Sequence, residues 1–194
     1  RNEAAFARVA SFVLDNVGNQ TSASAIEKAL GAGGHRVSAE TIDNYLSLMQ
    51  KAHLIYRCDR YDIRGKERLR TNGKYYVVDP GLRNRVLGLR AGNRGHLTEN
   101  MVFLELIRRG YDVSVGTLPN AEIDFVVQDG RSISYVQVSE TVLDPTTLER
   151  ELTPFAKLSD GFPRVLITKD RTDYGRDGVR HVNLYDFLLG APLP

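Results

Sequence analysis

Residues 121–139 read AEIDFVVQDGRSISYVQVS, and this stretch decides the fold. Two apolar, β-branched runs, 123–128 and 133–139, flank Asp129-Gly130. That dipeptide tolerates the positive φ of tight hairpin turns, so the runs read as paired antiparallel strands. Side chains alternate along a strand. Glu122 and Asp124 then share one face, and Ile123, Phe125 and Val127 take the other. On the second strand Gln137 and Ser139 lie opposite Val136 and Val138. Pairing brings Glu122, Asp124, Gln137 and Ser139 together, with Glu99 of the preceding helix approaching the same place. Such an oxygen-rich cluster suits a hard cation such as Mg²⁺. The same four residues also make an ordinary polar face of a half-buried sheet, and periodicity leaves both readings open.

Working outward, a helix is expected over Leu97–Arg109 and a strand over Asp112–Val115. Beyond the hairpin come a helix over Pro145–Leu158, strands over Arg164–Thr168 and Val179–Val182, and a last helix over Leu184–Leu189. The order predicts an α/β (α+β) class with a mixed sheet and flanking helices. Upstream the periodicity changes. Phe6, Val9, Ala10, Val13 and Val17 mark one helical face. A second helix is expected over Ser22–Leu30, and a third opens at Ser38 with Ile42, Tyr45, Leu46 and Met49 on its apolar side. Leu54–Cys58 and Lys74–Val78 read as strands joined by a basic loop over 60–73. Three short helices and a charged hairpin outline a winged helix-turn-helix over 1–79, leaving an α/β domain over 80–194. Arg64, Lys66, Arg68 and Arg70 would be the wing's phosphate contacts, which hold a duplex without reading sequence. A solvated basic hairpin used for packing or protein contact is the alternative. Glu40, Asp43 and Asn44 on the third helix count against groove reading, which usually employs Arg, Lys, Asn or Gln.

The 194 residues carry a net charge of only +2. That total hides a division. Arg57 to Arg94 holds 11 basic and 4 acidic residues, a net +7, and the remainder is −5. Hydrophobic content of 42% and charged content of 26% exclude a disordered or fibrous chain. A single cysteine, Cys58, cannot form an internal disulfide. With no apolar run of membrane-spanning length and no signal-peptide pattern, a cytoplasmic location and no membrane partner are expected. The chain opens on Arg1, which reads as a piece of something longer.

Several stretches together resemble the C-terminal region of a bacterial and archaeal group of AAA-type ATPases. They are residues 74–82 (KYYVVDPGL), 99–103 (ENMVF), 109–111 (RGY), 122–126 (EIDFV), 135–139 (YVQVS) and 149–151 (ERE). The resemblance implies a winged helix followed by a domain similar to the PD-(D/E)xK nucleases. It places the nuclease-like catalytic positions at Glu99, Asp124, Gln137 and Ser139, with Asp124 and Glu99 as metal ligands. There the acids hold Mg²⁺, which activates water for attack on phosphate. This sequence departs at both third-strand positions, since Gln137 is a neutral amide and Ser139 replaces the lysine. A migrated lysine would have to come from Lys157 or Lys169, or charge from Arg150.

No G-x-x-x-x-G-K-[ST] occurs. Gly31-Ala32-Gly33-Gly34 is followed by His35-Arg36 and reads as a turn. The resemblance to the ATPases then implies ATP only in a module upstream of Arg1, with no cofactor bound here beyond Mg²⁺ at the nuclease-like site. His35, His53, His96 and His181 show no metal-ligand spacing. Tyr56, Tyr61, Tyr75 and Tyr76 around the hairpin serve either base stacking or a core. The expected role is recognition of DNA or a protein partner for the chain's own ATPase module, without catalysis. The alternatives are a Mg²⁺-dependent nuclease and a structural domain that holds ATPase subunits together.

Overall fold

The computed structural model describes residues 2–88 and 94–193. Contacts divide the chain into two units, Arg1–Cys58 with Arg70–Asn93, and Asp59–Leu69 with Arg94–Pro194. The expected division at 79/80 is displaced twice. The hairpin tip joins the C-terminal unit, and the segment after Asp79 joins the N-terminal one.

The N-terminal unit contains α1 (Asn2–Asp15), α2 (Ala23–Ala32) and α3 (Ala39–Lys51). A serine caps both α2 and α3. Ser22 Oγ accepts from Ala25 N–H at 3.2 Å and Ser38 Oγ from Thr41 N–H at 3.3 Å, each worth about 1 kcal/mol. The predicted apolar faces meet in one core of Val9, Val13, Ile26, Ile42, Leu46 and Met49, closed by Ile55 and Tyr75. β1 (Ile55–Asp62) and β2 (Glu67–Val77) follow α3. The α1–α2 linker runs beside β2, with Gly18 N–H donating to Tyr75 O at 3.1 Å and Thr21 N–H to Gly73 O at 3.0 Å. Gly73 permits close approach of β1, since a Cβ would lie 2.8 Å from Cys58 O. α4 (Pro80–Leu87) was not expected from periodicity. Asp79 caps it, and proline at the first position spares a backbone donor that would otherwise go unpaired. Its Arg83 is buried, and Nε donates to Leu14 O at 2.8 Å, satisfying a carbonyl near the end of α1.

The C-terminal unit holds α5 (Arg94–Arg108), β3 (Asp112–Leu118), β4 (Ala121–Asp129), β5 (Ser132–Val138), α6 (Pro145–Leu152), β6 (Arg164–Thr168), β7 (Val179–Asn183) and α7 (Leu184–Leu188). Strand order is β2-β1-β3-β4-β5-β6-β7 in a mixed α/β sheet. β3, β4 and β5 are antiparallel neighbours, while β5–β6 and β6–β7 are parallel. The Asp-Gly turn forms as read, with Asp129 opposite Ser132 and Gly130 at φ 58°. One face buries Ile123, Val126, Tyr135 and Leu166 under Leu148 and Leu152 of α6. On α5, Phe103 packs against Phe125 with ring centroids 5.9 Å apart. The helix expected to reach Leu158 ends at Leu152, because Pro154 lacks the N–H that would continue it, and a 3-10 turn over Phe155–Lys157 follows.

The basic loop expected over 60–73 is mostly strand, and its turn occupies only 63–66. The tip does not project as a free wing. Arg60, Tyr61 and Asp62 pair in parallel with Val115, Gly116 and Thr117, and Ile63 N–H donates to Thr117 O at 3.2 Å. Ile63 is buried in the same core as Leu118 and Ile123. Burying that side chain supplies about 2 kcal/mol, which anchors the tip.

Candidate functional site

β4 does not alternate as the sequence suggested. Ser114 faces Val126 while Gly116 faces Ile123, so β4 carries one extra residue between these pairs. The bulge puts Ile123 in one core cluster with Val126, whereas Phe125 turns to Phe103. Strict alternation had placed Ile123 and Phe125 on the same face. The bulge falls at Asp124, where β4 and β5 also part, since their paired register ends at Phe125 opposite Val136.

At this fork each strand is bonded by the other's side chain. Asp124 N–H donates to Gln137 Oε1 at 2.6 Å, and Val138 N–H donates to Asp124 Oδ2 at 2.8 Å. The two bonds replace ladder bonds that the bulge removes, so neither main-chain donor goes unpaired. Gln137 Nε2 donates in turn to Glu151 Oε2 of α6 at 3.5 Å. Glu151 Oε1 accepts from Arg150 at 2.8 Å. An amide can accept from a main-chain N–H and donate to a carboxylate at once, and Gln137 does both. Glu151 was missed as a fork residue. Its signal was helical spacing, because Leu148, Glu151 and Leu152 stand at i, i+3 and i+4 on one face.

Glu99 is buried on α5, its Oε2 3.8 Å from His96 Nδ1. Ser139 Oγ donates to Thr141 O at 3.1 Å. Glu122 stands opposite Thr117. Lys157 Nζ donates to Asn120 O at 3.0 Å, and Lys169 pairs with Glu140 at 3.1 Å. Among the described residues, no group of three or more His, Cys, Asp or Glu side chains is arranged to hold a metal ion.

The expected nucleic-acid residues also separate. Arg64 and Lys66 are exposed at the hairpin turn, with Lys66 at φ 54°. Arg68 bonds to Asp112. The side chain of Arg70 lies outside the described residues. Tyr75 and Tyr76 are core residues, and Tyr61 packs against the C-terminal core. In the N-terminal unit a cleft of about 420 Å³ opens between the start of α2, α3 and the base of the hairpin. Hydroxyls of Thr21, Ser22, Ser24 and Thr71 line it with Asn72 and Arg57, and Asp43 stands on its α3 side.

Comparison with known proteins gives relatives without a described activity. Residues 1–93 match the family DUF8612, a domain of unknown function. An uncharacterized protein of Haemophilus influenzae is 39% identical over 181 residues, covering 92% of this chain and 44% of that protein. An uncharacterized protein of Methanocaldococcus jannaschii is 30% identical over 151 residues, covering 76% of this chain and 33% of that protein. The chain thus spans less than half the length of these relatives. No solved structure matches it. Among the described residues, no helix is long and apolar enough to cross a membrane.

Proposed function

We propose that this chain is the recognition region of an AAA-type ATPase: a winged helix that grips the phosphate backbone of duplex DNA, followed by a nuclease-like domain that does not hydrolyse it. The cleft of the N-terminal unit carries the reading. Hydroxyls, an amide and a guanidinium converge there, which is the donor set that phosphate oxygens need. Eleven basic residues against six acidic ones in that unit favour the same partner. Exposed Glu40 and Asp43 on α3 argue for backbone contact rather than base reading.

The fork supports the absence of hydrolysis. Asp124 and Gln137 spend oxygens on main-chain donors, Ser139 supplies no cation, and neither Lys157 nor Lys169 is bonded at the fork. Oxygens engaged in this way are less available to Mg²⁺, which binds through one or two carboxylates and water. Fluorescence anisotropy with a labelled duplex tests the binding. About four phosphate contacts predict a loss near 100-fold between 50 and 200 mM salt. Arg57→Ala should weaken binding for all sequences alike. No binding at low salt would sink the DNA reading and leave a protein partner.

A second reading, a Mg²⁺-dependent nuclease, draws on one observation: Asp124, Gln137 and Glu151 do meet at one strand fork. Cleavage of plasmid or single-stranded DNA that Asp124→Ala abolishes would establish it.

A further inference from the structure

A cavity of about 570 Å³ in the C-terminal unit takes no part in that function. It is lined from the end of α6, the 3-10 turn and the amino ends of β6 and β7. Leu152, Phe155 and Val179 form its apolar lining, each less than a tenth exposed. This volume suits a small molecule. Two guanidiniums also line it, and their situations differ. Arg176 is already neutralised, its NH2 2.5 Å from Glu149 Oε2 and its Nε 3.8 Å from Asp177.

Arg164, at the start of β6, is half-buried. One of its nitrogens, NH2, donates to the carbonyls of Leu158 at 3.2 Å and Asp160 at 3.1 Å. Those acceptors fix the guanidinium without neutralising it. Among the described residues, no carboxylate lies within ion-pair distance of Arg164, and its Nε and NH1 have no partner. The Asp160 carboxylate is engaged elsewhere, accepting from Tyr135 OH at 2.7 Å and from Phe162 N–H at 3.2 Å. A guanidinium partly withdrawn from water gains from pairing with an anion. Arg164 thus brings an un-neutralised guanidinium to the wall of a cavity whose lining is partly apolar.

We propose that this cavity binds a small carboxylate with an apolar body. The carboxylate engages Arg164 through the remaining donors, and the body lies on Leu152, Phe155 and Val179. One guanidinium matches one carboxylate in bidentate geometry. A phosphate dianion would carry a second charge past Glu149 and Asp177, which disfavours it.

The test is NMR titration of the isotope-labelled chain with 4-phenylbutyrate, 4-phenylbutanol and inorganic phosphate. The proposal expects saturable shifts at residues 152–156, 164 and 179 with the carboxylate, and binding of the alcohol weaker by about tenfold or more. Arg164→Gln should lower carboxylate affinity to that of the alcohol. Because Arg164 also holds two loop carbonyls, Ala156→Trp is the second variant. Ala156 is exposed on the cavity wall, so tryptophan should fill the space and abolish binding while distant resonances stay unchanged. Absence of saturable binding overturns the proposal. So does equal affinity for the alcohol, binding of phosphate as tight as that of the carboxylate, or binding that survives Ala156→Trp.

Discussion

Gln137→Glu restores an acid at a position where the nuclease-like resemblance expects one, and the structure predicts that it harms the protein. Gln137 Nε2 now donates to Glu151 Oε2 at 3.5 Å. A carboxylate at 137 keeps the bond from Asp124 N–H but sets two negative oxygens at that separation. At an effective dielectric of about 20 the repulsion is about 5 kcal/mol. Arg150, bonded to the other oxygen of Glu151, offsets part of this. Because Arg150 is itself solvent-exposed, a net cost of about 2 kcal/mol at neutral pH remains. The repulsion also raises the folded-state pKa of the carboxylate pair. An acid with a raised folded pKa costs stability above that pKa and recovers it as pH falls. The deficit of Gln137→Glu should therefore be full at pH 7 and shrink toward pH 4. Urea unfolding followed by circular dichroism, for both proteins at the two pH values, measures it. A variant as stable as the parent at pH 7 would refute the argument. A variant stabilised by millimolar Mn²⁺ would show a latent metal site and undo the reading of the fork as non-hydrolytic.

Three further outcomes follow from the same structure. Glu105 sits between Arg108 and Arg109, and the bond from Arg108, the largest influence, helps hold its carboxyl at about 2. Its folded pKa lies below the unfolded one, so the stabilisation is present above about pH 4.5 and lost as pH falls toward 2. Glu105→Gln should cost about 2 kcal/mol at pH 7, since screening through exposed Arg108 reduces the full shift, and should flatten the acid limb of the unfolding curve. A Cβ at Gly116 would stand 2.9 Å from side-chain atoms of Ile63, Ile123 and Val126. Gly116→Ala should therefore destabilise by about 1–3 kcal/mol and increase amide exchange at 60–66, and unchanged exchange would deny that Gly116 seats the tip. Replacing Arg64 and Lys66 together by Ala should reduce the salt slope of duplex binding by about two, and an unchanged slope would remove the tip from the interface.

Patterns confined to one element were legible in the sequence. Ser22 and Ser38 cap helices because a hydroxyl before an apolar-periodic run needs only the first turn to find a donor. Asp129-Gly130 turns because its conformation is local. What escaped depends on a partner distant in sequence. Ile63, an isolated apolar residue between Asp62 and Arg64, gives no periodicity, yet its burial attaches the basic tip to the C-terminal core. The bulge at Asp124 likewise has no glycine to announce it. It follows from β3, whose Gly116 lets Ile63, Ile123 and Val126 converge over an absent side chain.

That displacement changes the chemistry of the candidate site. Regular alternation would present Asp124 and Gln137 outward as a pair of ligands. The bulge instead turns them toward each other's strand, where they satisfy main-chain donors. Gln137 is then better explained as the residue the fork requires than as a worn-down catalytic acid. Glutamate could accept from Asp124 N–H but would repel Glu151, and leucine would leave that donor unpaired. The amide meets both demands, so the residue type that weakens the resemblance to an active nuclease is the one that holds these strands in place.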